Sequence, residues 1–204
     1  MNILYIRYFI VILVIWNSSA VIYSQSTARI VLDAEYDGDM VRLTWAPNSD
    51  TIWALGNKFG YSITRTDGSN KTTLIAKSIK PKPLSWFEAN EQLDNGFIYV
   101  IGKILYDPEY NKQLVHESLT NQRIQYDYLV PEAIRSPLVA SSLGLNFLDS
   151  TVISGQNYTY NLSFKDSLGT LFQSEISINL DGGNLGLKTN DLAQLKFDPP
   201  GGTP

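Results

Sequence analysis

The sequence predicts a mainly β fold into which an α-helical segment is inserted. Segments with alternating apolar and polar residues lie on both sides of residues 81–145, whereas apolar residues inside that range recur at helical spacing. Strands are predicted at residues 28–33, 41–45, 61–65, 72–79, 145–147, 158–164 and 170–180. We therefore expect one domain over residues 25–181, with the helical insert at about 81–145 and a linker or tail at 182–204.

The strand predictions rest on alternation that ends at turn-forming residues. Val41, Leu43 and Trp45 are apolar and alternate with Arg42 and Thr44, which is typical of a strand with one buried and one wet face. Turn-forming residues close three of the segments: Pro47-Asn48-Ser49-Asp50, Asp67-Gly68 and Asp166-Ser167-Leu168-Gly169. Residues 48–60 are accordingly predicted to form a loop.

The first half of the insert is predicted to hold two helices. Pro81 and Pro83 end the strand pattern, and Ser85 with Glu88 three residues on has the spacing of a capping box for a short helix. A second helix is indicated between Asn95 and Asp107-Pro108 by apolar residues at positions i, i+1, i+4, i+7 and i+8. These residues are Phe97, Ile98, Ile101, Ile104 and Leu105.

The helical pattern is weaker in the second half of the insert. Residues 111–122 are polar and are predicted to form a loop. Ser136 followed by Pro137 has the form of a helix start, and Gly144 has the form of a helix end. A short helix is therefore predicted between them.

The composition excludes several kinds of function. The chain has no cysteine and one histidine, His116, which excludes cysteine nucleophiles, zinc fingers and iron–sulfur clusters. Sixteen basic and 20 acidic residues give a formal net charge of −4, so nucleic acid is not an expected partner. No glycine-rich phosphate-binding loop opens a helix, and no cofactor is predicted.

The first 24 residues are typical of a secretory signal peptide. Arg7 precedes the apolar run Tyr8–Trp16, and small residues follow, so cleavage is expected after Ala20 or after Ser24. An uncleaved membrane anchor is the alternative, although Arg7 interrupts the apolar stretch. An exported chain without cysteine favours a bacterial envelope, so we expect a protein of the periplasm or cell surface with no membrane insertion after cleavage.

Two segments resemble the fibronectin type III family. Val41-Arg42-Leu43-Thr44-Trp45-Ala46-Pro47, followed by Gly60-Tyr61-Ser62-Ile63-Thr64-Arg65, is similar to that family's second and third strands with their buried Trp. Val152–Tyr160 is similar to its run of an apolar residue, a Gly and then Tyr-x-Tyr, although Ser154 stands where Pro is usual. The resemblance implies an immunoglobulin-like antiparallel β-sandwich in which Trp45 is buried and the Tyr158 hydroxyl bonds to upstream backbone.

The chain also resembles a group of secreted fibronectin-like proteins of Bacteroidota. The segments that carry this resemblance are Trp45-Ala46-Pro47, Leu55-Gly56-Asn57-Lys58-Phe59-Gly60-Tyr61 and Leu143-Gly144-Leu145. A helical insert at about 81–145 is much longer than the connection that the family has at this point. The resemblance implies a fold and does not imply an activity.

No catalytic or metal-binding set is predicted. Asp33, Glu35, Asp37 and Asp39 have the alternate spacing that could place carboxylates on one face, but neither the Gly nor the later Glu of a calcium loop stands in register. The sequence has no nucleophile motif for which His116 could act as the catalytic base, so an exposed histidine is the favoured interpretation. We accordingly expect that the chain is not an enzyme.

The aromatic residues outside clear strand faces are the candidate binding surface. Trp53, Trp86, Tyr106 and Tyr110 lie in the 48–60 loop and the insert, where exposed rings could stack on sugars or anchor a protein partner. The alternative for the tryptophans is that they pack the insert on the sandwich. The predicted function is an exported, non-enzymatic module for protein or glycan binding or for spacing at the cell envelope. The alternative is an accessory domain of a carbohydrate-active enzyme whose catalytic part is missing from this chain.

Overall fold

A computed structural model describes residues 29–114 and 119–180 of the 204-residue chain. The predicted signal peptide, His116 and the predicted tail at 182–204 lie outside the described residues. Strands account for 34% and helices for 39% of the structure, so the fold is a mixed, sandwich-like one and not the mainly β fold that the sequence predicts.

The strands form two antiparallel sheets. The first has the order β1-β2-β5 and consists of Ile30–Tyr36, Val41–Pro47 and Asn146–Asp149. The second has the order β4-β3-β6-β7, in which β3 is Tyr61–Asp67, β4 is Thr72–Ile79, β6 is Asn157–Lys165 and β7 is Leu171–Asn179. Three hairpins, β1–β2, β3–β4 and β6–β7, lie within the sheets, and the chain crosses between the sheets after β2, β4 and β5.

Six α-helices occupy the connections in the described residues. They are α1 (Asp50–Phe59), α2 (Leu84–Ala89), α3 (Phe97–Tyr106), α4 (Pro108–Leu114), α5 (Asn121–Arg135) and α6 (Pro137–Ser142). The predicted stripe on α3 is confirmed, since Ile98, Ile101, Ile104 and Leu105 are buried. The predicted start of α6 is also confirmed, because the Ser136 hydroxyl accepts the N–H of Val139 and Pro137 is the first helical residue.

Three predictions for the connections are wrong. Residues 50–59 form α1 and not a loop, because the Ser49 hydroxyl accepts the N–H of Ile52 and so caps a helix start that looks like a turn in the sequence. Residues 111–122 are largely helical as far as they are described, since α4 extends to Leu114 and Thr120 caps α5. Ser85 lies inside α2 and makes no cap hydrogen bond there.

The sandwich and the helical insert share one hydrophobic core. Trp45, Tyr61 and Tyr160 are buried between the sheets, and the same cluster continues through Phe87 and Leu129 in the insert. Each apolar residue of the cluster stabilises the fold by about 25 cal/mol for every Å² of apolar surface that it removes from water. The insert is therefore an integral part of the domain, because the sandwich and the insert together form a single core.

The tyrosine contact implied by the sequence resemblance is present. The backbone N–H of Ile153 donates to the Tyr158 hydroxyl at 3.0 Å, and that hydroxyl donates to Gln156 Oε1 at 3.3 Å. Tyr158 is buried, as is Trp45 on the other sheet. The expectations that Trp45 is buried and that Tyr158 bonds to upstream backbone are confirmed.

Removing two tyrosine hydroxyls is expected to have opposite effects. Tyr158→Phe should lower the free energy of unfolding by about 1–2 kcal/mol, because the N–H of Ile153 loses its acceptor in a part-buried hydrogen bond. Tyr61→Phe should raise it by about 1 kcal/mol, because the buried Tyr61 hydroxyl has no hydrogen-bond partner among the described residues. Urea denaturation measures both; an equal loss in the two variants would contradict this account.

Candidate functional site

A cleft of about 380 Å³ lies where the sandwich meets the helical insert. Its walls come from α1, from the segment after β4, from the end of α3 and from α5. The lining residues are Ala54, Asn57, Lys58, Lys80, Pro81, Leu105, Tyr106 and Gln125. The volume falls in the range of about 300–1,000 Å³ that small-molecule sites occupy.

Two side-chain hydrogen bonds to backbone hold the walls of the cleft together. Lys80 Nζ donates to the carbonyl of Lys58 at 2.7 Å, which connects the segment after β4 to the last turn of α1. The Tyr106 hydroxyl donates to the carbonyl of Lys82 at 2.6 Å, which connects α3 to the same segment. Because its hydroxyl is fixed in this way, the Tyr106 ring has a defined orientation at the mouth of the cleft.

Two glycines allow the segment Lys80–Pro81 to approach its neighbours. Gly60 ends α1 with a φ of 78°, and a Cβ there would lie 3.0 Å from the Cα of Ser78. Gly144 has a φ of 64°, and a Cβ there would lie 2.5 Å from the carbonyl carbon of Lys80. Both glycines therefore allow close backbone contacts with the segment that carries Lys80, one of the lining residues.

Uncharged polar groups supply hydrogen-bonding capacity to the cleft. Asn57 Oδ1 is buried and has no hydrogen-bond partner in the part of the chain that the structure describes. Gln125 Nε2 donates to the carbonyl of Leu105 at 2.7 Å, which leaves the side-chain carbonyl of Gln125 as an acceptor. Because Asn57 Oδ1 is closed to solvent, the side-chain carbonyl of Gln125 is the acceptor that the cleft offers to a ligand.

The charged residues of the cleft are both basic. Lys58 and Lys80 line it, and the described residues of the lining contain no aspartate or glutamate. Partial burial raises the pKa of the Tyr106 hydroxyl, which therefore stays neutral and bonded to backbone near pH 7. The cleft can therefore present ammonium groups, an aromatic ring and an amide carbonyl to one small ligand.

The structure brings together only part of the predicted aromatic surface. Tyr106 is 41% exposed and lines the cleft, and Trp86 is half-buried. The Trp86 and Tyr106 rings both pack edge-on against Phe87, with ring centroids 5.3 and 6.1 Å from it. Tyr110 is half-buried at the start of α4 and is not part of the cleft lining.

Trp53 was predicted to lie on the binding surface, and this prediction is wrong. Its side chain is fully buried, because α1 turns it toward the core together with Ile52. The sequence prediction also missed the polar lining residues. Asn57 and Lys58 belong to a segment singled out for its resemblance, but no local pattern connects them with Lys80 or Gln125.

A buried ionic network lies elsewhere, between the two sheets. Arg65 Nη1 on β3 bonds to Asp149 Oδ2 on β5 at 2.6 Å, and the Tyr160 hydroxyl donates to the same oxygen at 3.0 Å. The Asp149 side chain is 3% exposed. Burial alone would raise the pKa of Asp149, but hydrogen bonds from Thr151, Arg65 and Tyr160 outweigh it and hold that pKa below its ordinary value. The network joins the sheets and lies outside the cleft.

The acidic residues near the β1–β2 turn have a structural role. The Asp37 carboxylate accepts the N–H groups of Met40 and Asp39 at 3.0 and 3.1 Å, and these bonds lower its pKa. Within residues 29–114 and 119–180, no group of three or more histidine, aspartate or glutamate side chains is arranged to hold a metal ion. Asp37 thus stabilises a hairpin turn.

None of the helices within the described ranges is both long enough and apolar enough to cross a membrane. Comparisons with models of protein families, with curated proteins and with solved structures found no match. The function is therefore argued from the fold and the cleft of this chain.

Proposed function

We propose that the chain is an exported, non-enzymatic module with a fibronectin type III-like sandwich, which binds a glycan or protein ligand at the cleft between sandwich and insert. Residues 1–24 would direct it across the membrane and be removed, so that it acts in the periplasm or at the cell surface. The observation that carries the binding proposal is the cleft itself, with the exposed ring of Tyr106 in its lining.

The sheet topology supports the fold part of this proposal. Immunoglobulin-like sandwiches place their first, second and fifth strands opposite their third, sixth and seventh strands, and β1-β2-β5 lies opposite β3, β6 and β7 here. The fourth strand pairs with β3 and not with β5. The buried Trp45 and the Tyr158 contact add two side-chain features that the resemblance implies.

The chemistry of the cleft supports a small polar ligand. An aromatic face offers apolar area to the C–H face of a sugar ring, while amide carbonyls orient its hydroxyl groups. Tyr106 on α3 and Gln125 on α5 provide these two features. A glycan combines an apolar ring face with hydroxyl donors, so it fits the cleft better than a wholly apolar ligand does.

The proposal predicts that Tyr106→Ala weakens ligand binding about tenfold or more, which corresponds to about 1.4 kcal/mol. The measurement is a glycan array followed by titration calorimetry of the ligand found, with the full secreted chain. Tyr99→Ala is the matched control, because Tyr99 lies on the same helix and is 38% exposed but does not line the cleft. Equal effects of the two substitutions, or none from Tyr106→Ala, would place the ligand elsewhere.

A further inference from the structure

We infer that the cleft recognises a carboxylated sugar, such as a uronic acid residue of an acidic glycan. This inference rests on the proposed function, because it names the class of ligand for the same cleft. It depends on three observations: the sign of the charge in the cleft, the position of the Lys80 ammonium, and the uncharged groups of Tyr106 and Gln125.

The charge of the cleft is opposite to that of the whole chain. The chain carries 20 acidic and 16 basic residues, yet the described lining of the cleft has Lys58 and Lys80 and no acidic residue. A site for a neutral sugar has no need of two ammonium groups. The Lys80 ammonium bonds to backbone at the cleft, and the Lys58 ammonium lies 5.3 Å from the centroid of the Phe59 ring. Two positive charges in this small region attract an anionic ligand and raise its rate of encounter.

Lys80 is positioned by the protein and retains donors for a ligand. Its Nζ bonds to the carbonyl of Lys58 at the end of α1, and an ammonium group has three N–H donors. One donor holds the side chain in place, which leaves two for a ligand oxygen. The same ammonium neutralises the negative end of the α1 dipole, which would otherwise repel a carboxylate.

The uncharged groups favour a sugar over an acidic peptide. The side-chain carbonyl of Gln125 is an acceptor for a ligand hydroxyl. A uronic acid carries ring hydroxyls that donate and a carboxylate that accepts, and its ring can lie on Tyr106. A cleft of about 380 Å³ has the size of a small-molecule site, whereas an acidic peptide would need an extended groove.

The test uses titration calorimetry of the full secreted chain with trimers of galacturonate, glucuronate and mannuronate. Each trimer is compared with its methyl ester, which keeps the ring and removes the charge. We expect at least one acid to bind about tenfold or more tightly than its ester. This preference should shrink in about 1 M NaCl, where the screening length falls to about 3 Å.

Substitutions of the two lysines test whether the preference for the acid arises in the cleft. Lys58→Met and Lys80→Met should each remove most of the preference for the acid, because the ammonium is lost while the carbon stem is kept. Lys80→Met also breaks the hydrogen bond to Lys58, so the readout is the ratio of acid to ester affinity within each variant. Lys165→Met is the matched control, since Lys165 is exposed at the end of β6, outside the cleft. Lys80→Arg should keep both the contact with Lys58 and the preference. Thermal unfolding of each variant checks that the fold is intact.

The outcomes separate this inference from the proposed function. Esters that bind as tightly as acids, or a preference that survives both lysine substitutions, would overturn the choice of an acidic sugar and leave the cleft as a glycan site. Binding of a hexaglutamate peptide in preference to all uronates would replace the sugar by an acidic peptide. If no uronate binds while a neutral glycan depends on Tyr106, the inference fails and the proposed function stands; if nothing binds at the cleft, both fail.

Discussion

Asp149→Ala is expected to lower the free energy of unfolding by about 3–5 kcal/mol, because it leaves a charge between the sheets without its partner. Arg65 on β3 reaches across to Asp149 on β5 at 2.6 Å, and Tyr160 and Thr151 donate to the same carboxylate. Removing the carboxylate takes away the acceptor of four hydrogen bonds, from Arg65, from Tyr160 and from the N–H and hydroxyl of Thr151. The Asp149 side chain is 3% exposed. Urea denaturation with a fixed m-value measures the loss.

Two further variants test the assignment of this loss to the buried ion pair. Glu132→Ala breaks the exposed pair with Arg135 and should cost about 0–1 kcal/mol, the range of surface ion pairs. The double substitution Arg65→Met/Asp149→Leu removes both charges and should cost less than Asp149→Ala alone. A double variant less stable than the single one would show that the buried pair itself stabilises the fold.

The stability contributed by Asp149 should depend on pH in a defined direction. Its pKa in the folded protein lies below the ordinary value of 3.8, so folding favours the ionised form. The stabilisation is therefore complete above about pH 4 and is lost as the pH falls through the folded pKa. Asp149→Asn lacks this contribution, so the difference in unfolding free energy between wild type and variant should shrink below pH 4.

Strand positions could be predicted from the sequence because the pattern that specifies them is local. Alternation in Val41–Trp45 and Tyr158–Phe164 identifies β2 and β6, and both sets of apolar residues are buried. The order of strands in the sheets was not predicted, because pairing between β2 and β5 joins residues about a hundred positions apart. Periodicity carries no information on such partners.

The helices that the sequence did not reveal have weaker local signals. α5 contains Pro131 and polar residues among its buried ones, so its apolar pattern is diluted and its proline looks like a break. α1 follows Pro47 with Asn48, Ser49 and Asp50, residues that favour turns as much as helix starts. In both places, packing against the rest of the core decides the conformation.

The cleft could not have been predicted from spacing. Asn57, Lys80 and Gln125 come from three separate parts of the chain and meet only because Gly60 and Gly144 allow close backbone contacts. Tyr106 was predicted as a candidate because it is an aromatic residue outside the predicted strand faces. The same criterion also selected Trp53, which is buried. An aromatic residue in a helix can be assigned to the core or to the surface only when the orientation of the helix is known.

Trp53→Ala is expected to lower the free energy of unfolding by about 3–5 kcal/mol, the cost of removing a large aromatic side chain from a core. Trp53 is 0% exposed on α1 and belongs to the cluster that joins sandwich and insert. The cavity would open where α1 packs, so the loss combines transfer free energy with lost packing contacts. Urea denaturation gives the magnitude.

Two variants distinguish this core role from a role in binding. Trp86→Ala should cost less than Trp53→Ala, because Trp86 is half-buried at the edge of the same cluster. Trp53→Phe should keep most of the stability, because the ring still fills much of the space and the buried indole N–H has no partner among the described residues. A Trp53→Ala protein with wild-type stability and weakened ligand binding would contradict the core assignment. We expect instead that the Trp53→Phe protein folds and binds the ligand as tightly as the wild type does, because the buried side chain at position 53 does not contact the ligand.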